Sequence, residues 1–250
     1  MEIFDCHNMI SEKTFSVDEL IKLMDTYKIR KSIVWGFGTV SGSRKDKCFS
    51  ELNNFVAQAI KKYPERLVGF ARINPRCGDL AVKELQRSVK KLGFKGFKLH
   101  PDENAFPAND KIVHPLLEEA GKMKIPVNIH SGETAWYYGQ YGHPALILDL
   151  AETFPDVKII MGHMRPLADA IVVAKKCPNV FLDSAPGNGP PPDAIERAAI
   201  AVGADRVIYG SGLPIHGFPG FELWKLERAR LSKEEKKKIL WDNMTHILEM

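Results

Sequence analysis

The sequence predicts an α/β fold, a single (β/α)8 barrel of the TIM type, and three observations predict it. Eight short runs rich in β-branched and aromatic residues alternate with helical patterns along the chain, the pattern of a parallel sheet with crossover helices. The chain has 250 residues, and barrels of this kind take about 250. After the first run, Cys6-His7-Asn8-Met9 has none of the glycines with which a doubly wound sheet cradles phosphate. With no linker or internal repeat, the whole chain, 1–250, reads as one domain.

The elements follow in order. The first strand runs through Glu2-Ile3-Phe4-Asp5-Cys6-His7-Asn8-Met9. Ser16-Val17-Asp18-Glu19 is a capping box, and Val17, Leu20, Ile21 and Met24 then share one helical face. Lys31 to Trp35 is the second strand, ended by Gly36. A polar loop through Ser41-Gly42-Ser43 leads to a helix from Phe49 to Lys62. Leu67 to Ile73 is the third strand, closed by Asn74-Pro75, with a helix from Asp79 to Leu92 behind it. Gly96 to His100 is the fourth, stopped by Pro101, which cannot donate to a ladder. A helix from Ile112 to Met123 precedes the fifth strand, Pro126 to His130. Helices at Pro144–Thr153, Leu167–Lys176 and Pro192–Val202 separate the sixth strand, Val157 to His163, the seventh, Val180 to Ser184, and the eighth, Arg206 to Gly210. A helix pair, Phe221–Ala229 and Ser232–Leu248, ends the chain.

Composition sets bounds on function. Hydrophobic residues make up 44% and charged residues 26%, as in ordinary globular proteins. The net charge of +4 is spread out, and Lys236-Lys237-Lys238 follows Glu234-Glu235 on a helix, a solvated face rather than a nucleic-acid surface. Cys6, Cys48, Cys77 and Cys177 stand singly, which argues for a reducing compartment over a disulfide framework. With no leader-like start and no apolar run of about 18 residues, the expectation is a cytoplasmic protein that binds no membrane.

Polar residues gather at the carboxyl ends of the strands, the rim where barrel active sites sit. His7, His100, His130 and His163 end four strands; Asp183-Ser184 and Ser211 end two more. Strand alternation puts Asp5, His7 and Met9 on one face and Cys6 and Asn8 on the other; it also pairs Lys98 with His100, and Asn128 with His130. His114, His143 and His246 fall in or at the start of helices and read as surface or packing residues. Trp136, Tyr137 and Tyr138 follow the fifth strand, where they either wall a pocket for a planar substrate or pack the loop.

Six motifs in order resemble a known family: Asp5-x-His7, Ala71-Arg72-Ile73-Asn74-Pro75, Gly93-Phe94-Lys95-Gly96-Phe97-Lys98-Leu99-His100-Pro101, Pro126-Val127-Asn128-Ile129-His130-Ser131-Gly132, Gly162-His163-Met164 and Gly210-Ser211. They resemble the amidohydrolase-related family, in particular its aminocarboxymuconate-semialdehyde decarboxylase-like branch. The resemblance runs from Ile3 to about Asn243. It implies a divalent metal, usually zinc, held by two histidines of Asp-x-His-x-His, a histidine ending the fifth strand and an aspartate after the eighth. On this chain His7 and His130 match metal ligands, and His163 matches the histidine that moves a proton. The resemblance also implies a small-molecule substrate and a homodimer.

Two positions depart from that pattern. Met9 stands where the second histidine belongs, and Gly212 where the aspartate belongs. A thioether is a poor ligand for a hard divalent ion, and glycine offers no ligand at all, whereas a catalytic zinc takes three protein ligands and a water. Glu133, His216 or a carboxylated Lys98 are the replacements within reach. Two readings follow. One is a metal-dependent hydrolase or non-oxidative decarboxylase of a small carboxylated substrate. There His163 moves the proton, Arg165 and Arg72 are carboxylate clamps, and Lys98, His100 and Trp136 join them around the substrate. The other is a metal-free degenerate barrel that binds a small molecule or regulates a partner.

Overall fold

The first strand holds one residue more than its neighbour can match. In this computed structural model, which describes residues 1–37, 48–132, 140–187, 191–215 and 217–250, β1 (Phe4–Ile10) lies parallel to β2 (Lys31–Gly36). Asp5 pairs with Ser32 but Asn8 pairs with Val34, so three steps on one strand face two on the other, a β-bulge. The bulge breaks the alternation expected from the sequence. Phe4, Cys6 and Met9 join an inner apolar cluster with Ile33, Trp35 and Phe70, while Ile10 joins the outer one with Val34 and Ala71. Asn8 turns outward to donate to the Ser32 hydroxyl at 2.7 Å. The His7 ring faces inward against Trp35, 4.6 Å between centroids. Cys6 and His7 therefore share the inner side, and Asp5 is left on the outer one.

The remaining strands are β3 (Leu67–Arg72), β4 (Gly96–Leu99), β5 (Val127–His130), β6 (Ile159–Gly162), β7 (Val180–Asp183) and β8 (Val207–Ile208). All seven neighbouring pairs are parallel and follow chain order. The chain beyond β8 then runs along β1: Cys6 N donates to Tyr209 O, Gly212 N to His7 O and Met9 N to Leu213 O, each at 2.9 Å, which closes the barrel. The helices are α1 (Val17–Thr26), α2 (Ser50–Lys62), α3 (Asp79–Lys90), α4 (Pro101–Asn104), α5 (His114–Met123), α6 (Pro144–Thr153), α7 (Leu167–Lys176), α8 (Ala194–Val202), α9 (Pro219–Arg228), α10 (Lys233–Lys237) and α11 (Asn243–Ile247). The Ser16–Glu19 capping box forms at α1, worth about 1 kcal/mol.

Two apolar shells hold this together. Outward-facing Phe97, Leu99, Val127, Ile129, Ile159, Met161 and Leu182 meet the helices, each such side chain contributing roughly 1.5–3 kcal/mol by leaving water. Inward-facing Ile33, Val68, Phe70, Ile160, Phe181 and Ile208 fill the barrel, and Met244 and Ile247 of α11 close its floor. The final helix expected as one piece is divided by a π turn at Lys238–Asp242, which sets Trp241 5.7 Å from the Phe4 ring. Among the described residues no helix is long and apolar enough to cross a membrane.

The cysteine reading needs correction. Cys48 and Cys77, 29 residues apart in sequence, form a disulfide. The loops after β2 and β3 carry them, and those strands are neighbours, so the barrel joins what the sequence separates. Cys6 and Cys177 are free and buried. The expectation of a cytoplasmic protein loses its cysteine argument.

Candidate active site at the barrel mouth

Four inward side chains form a hydrogen-bonded line across the mouth. Lys98 Nζ donates to Asn128 Oδ1 at 2.6 Å, and Asn128 Nδ2 donates to Asp183 Oδ2 at 3.2 Å. The same Asp183 oxygen lies 2.5 Å from His7 Nδ1. Strands β4, β5, β7 and β1 each supply one member, and all four are buried. Burial alone would raise the Asp183 carboxyl, but the His7 ring, the Ala185 N–H and Lys98 together hold it below the usual carboxylate range. Burial pushes His7 below the ordinary imidazole value in spite of Asp183. The pair is thus a carboxylate accepting from a neutral Nδ1–H, which leaves His7 Nε2 as an acceptor. Burial brings Lys98 down to about 7, with Asp183 pulling upward and Arg72 downward. Its ammonium lies 4.9 Å from the Trp35 ring centroid.

The rim histidines form one contiguous run. His7 and His163 have ring centroids 4.5 Å apart, His163 and His130 4.6 Å, and His130 stacks on His100 at 3.9 Å. His163 has φ +70° and Met164 φ +41°, conformations that β-carbon sterics disfavour and that cluster where a side chain must be held in place. His163 Nδ1 is 3.1 Å from the Ala185 carbonyl, an acceptor only, so this nitrogen carries the hydrogen. His100 caps α4, its Nδ1 accepting from Glu103 N at 3.2 Å. His143 caps α6, accepting from Ala145 N, and His114 packs on Phe154, outside the run.

Arg72 ends β3 facing inward and is paired with Glu103 of α4 at 2.9 Å, both buried. Phe49 lies over its guanidinium at 5.0 Å, and Asn53 brackets its backbone, accepting from Arg72 N and donating to Arg72 O. Its Nε–H has no hydrogen-bond partner among the described residues. Arg165 N donates to Ser131 Oγ at 3.1 Å. A Cβ at Gly187 would come 2.7 Å from Arg165 Nη1, so the guanidinium lies close against the backbone after β7. Trp136, Glu133 and His216 lie outside the described residues.

The donors among the described residues do not fit the expected divalent centre. Among the described residues, no three His, Cys, Asp or Glu side chains are grouped to hold an ion. Met9 packs into the inner apolar cluster, and Gly212, at φ +73°, contributes only its backbone N–H to His7 O. His7 and His130 reach the same mouth, and no described residue joins them to complete a set of three.

In the sequence Asp183 is a polar strand end with nothing nearby to mark its partner, and Trp35 carries no sign of a place in the site. Alternation with inward-facing Phe181 was the available sign that Asp183 faces inward.

The comparisons with known proteins agree with this architecture. A family described as Amidohydrolase (Amidohydro_2) matches residues 35–248, a stretch that holds His100, His130 and His163 but begins after β1. Gamma-resorcylate decarboxylase of Polaromonas sp. (strain JS666) is 24% identical over 292 residues, covering 93% of this chain and 87% of that protein. 2-Amino-3-carboxymuconate-6-semialdehyde decarboxylase of Dictyostelium discoideum is 28% identical over 149 residues, 58% of this chain and 39% of that one. The solved dihydroxybenzoic acid decarboxylase of Polaromonas sp. JS666, with bound manganese and the inhibitor 2-nitroresorcinol, superposes with a TM-score of 0.79. It is 19% identical and covers 99% of this chain and 97% of that chain, a likeness of fold.

Proposed function

The chain belongs to the amidohydrolase family, and on that premise we propose that it removes CO2 without oxidation from a small aromatic hydroxy-carboxylate, with His163 as the proton carrier. The observation that carries this reading is the setting of His163: Nδ1 on the Ala185 carbonyl, and its ring against both His7 and His130. With Nδ1–H committed, Nε2 is the nitrogen that carries the proton in turnover.

In this mechanism the carbon bearing the carboxylate takes a proton from His163 Nε2. The bond to the carboxyl carbon then breaks, CO2 leaves, and the electron pair returns to the ring. Protonation of His163 from solvent resets the site. Arg165, two residues beyond, clamps the carboxylate, and Arg72 offers its Nε–H. The crowded rings of Trp35, His130 and His100 suit a planar substrate. Similarity to two decarboxylases supports this chemistry over hydrolysis.

The test is incubation with 2,6-dihydroxybenzoate (γ-resorcylate) and a panel of hydroxybenzoates, following CO2 release, beside His163→Asn. Turnover in the parent and its loss in the variant is the expected result. Binding without turnover across the panel would overturn it and favour the second reading, a barrel that binds a small molecule without converting it. The substitutions at Met9 and Gly212 favour that alternative.

A further inference from the structure

The mouth carries an unused cation where the family's metal chemistry is incomplete. Lys98 is 1% exposed on the inner side of β4. An ammonium has three donors, and Asn128 Oδ1 is its one hydrogen-bond acceptor among the described residues. Two N–H groups are therefore left for an arriving acceptor. Gly162 leaves the room that this amine and its partner occupy: a Cβ there would sit 3.2 Å from Lys98 Nζ and 3.0 Å from Asn128 Oδ1. Its counter-charge, Asp183, is reached only through the Asn128 amide and is shared with His7. A buried amine bonded to a neutral amide, with donors to spare and the Arg72 guanidinium on the neighbouring strand, is an anion receptor.

We propose that Lys98 takes the electrostatic part that a divalent ion takes in metal-dependent relatives, receiving the substrate's carboxylate so that this chain binds its substrate without a metal. The proposal rests on the aromatic-carboxylate reading for the identity of the anion. The donor set argues the rest: with Met9 and Gly212 at two ligand positions, no described trio of donors remains for an ion, while the Lys98 amine stands on β4 beside Asn128.

The experiment has two arms on the full chain. Elemental mass spectrometry reads metal content as purified and after manganese loading and desalting. Calorimetry reads the Kd for 2,6-dihydroxybenzoate in EDTA and in manganese chloride, for the parent, Lys98→Met and Lys98→Arg. Expected are far less than one equivalent of metal, a Kd equal in both buffers within about twofold, and at least about tenfold weaker binding in Lys98→Met, partly restored by arginine. One equivalent of retained metal, binding lost on chelation, or Lys98→Met binding like the parent would each overturn the proposal. Circular dichroism checks that Lys98→Met folds; if it does not, the metal and chelation arms on the parent still decide. If the parent binds no dihydroxybenzoate in either buffer, the substrate reading fails. The metal arm then decides alone, stoichiometric manganese overturning the lysine proposal and its absence supporting it.

Discussion

His7 Nδ1 and Asp183 Oδ2 stand 2.5 Å apart with 176 residues between them in the chain. The contact fixes the tautomer of His7 and gives the buried carboxylate its most direct partner. Asp183→Asn keeps the shape and removes the charge. Turnover should fall about 10–100-fold, and unfolding in urea should show a loss of roughly 3 kcal/mol. Activity within twofold of the parent would mean that the pair has no part in orienting His7.

Two buried groups should give stability opposite slopes in different pH windows. Burial raises Asp5 from 3.8 to about 6, against hydrogen bonds from Ser211, Asn8 and His7. Between those values the folded chain binds the extra proton, so stability contributed at Asp5 is full below about pH 4 and lost as pH rises through 6. Lys98, brought from 10.5 down to about 7, behaves the other way. The unfolded chain binds the extra proton, so stability rises from pH 7 toward 10.5 and is lost as pH falls through 7. Denaturation midpoints across pH 4–10 for the parent, Asp5→Asn and Lys98→Met check both; each variant should flatten only its own window.

Gly162→Ala should be costly for one added carbon. The new Cβ would lie 3.0 Å from Asn128 Oδ1 and 3.2 Å from both Ile129 O and Lys98 Nζ. Overpacking of this kind costs about 1–3 kcal/mol. The guanidinium midpoint should drop, and dihydroxybenzoate affinity should drop with it as Lys98 is displaced. An unchanged midpoint would show that β6 can shift freely.

The Cys48–Cys77 bond closes a loop of 29 residues' separation, for which chain entropy gives about 3–4 kcal/mol. Alkylation in denaturant should add two groups without reductant, on Cys6 and Cys177, and four after reduction. Cys77→Ser should unfold at lower urea. Four additions without reductant would show that Cys48 and Cys77 are not bonded.

Much of the barrel was legible because its signals are local. β-rich runs, a capping box and prolines after strands each announce themselves within a few residues, and eight of them in series leave few topologies. The histidines at strand ends were legible for the same reason. What escaped was long-range or a matter of parity. Asp183 and His7 meet only because β7 and β1 face across the mouth. Glu103 meets Arg72 because Pro101, read as a stop, also begins α4. The bulge in β1 has no mark in Asp5-Cys6-His7-Asn8, since the extra residue is set by the register against Ser32 and Val34.

That extra residue has a consequence for editing the chain. Removing a residue from a central strand normally flips everything beyond it to the wrong side. In β1 the opposite holds. Deleting Cys6 would leave Phe4, His7 and Met9 inward and Asp5, Asn8 and Ile10 outward, in unbroken register with β2. The shortened chain should keep its fold, with a melting temperature lowered by the loss of the Cys6 N–H bond to Tyr209 O and of the buried thiol. The usual worst edit here leaves every remaining side chain on its own side.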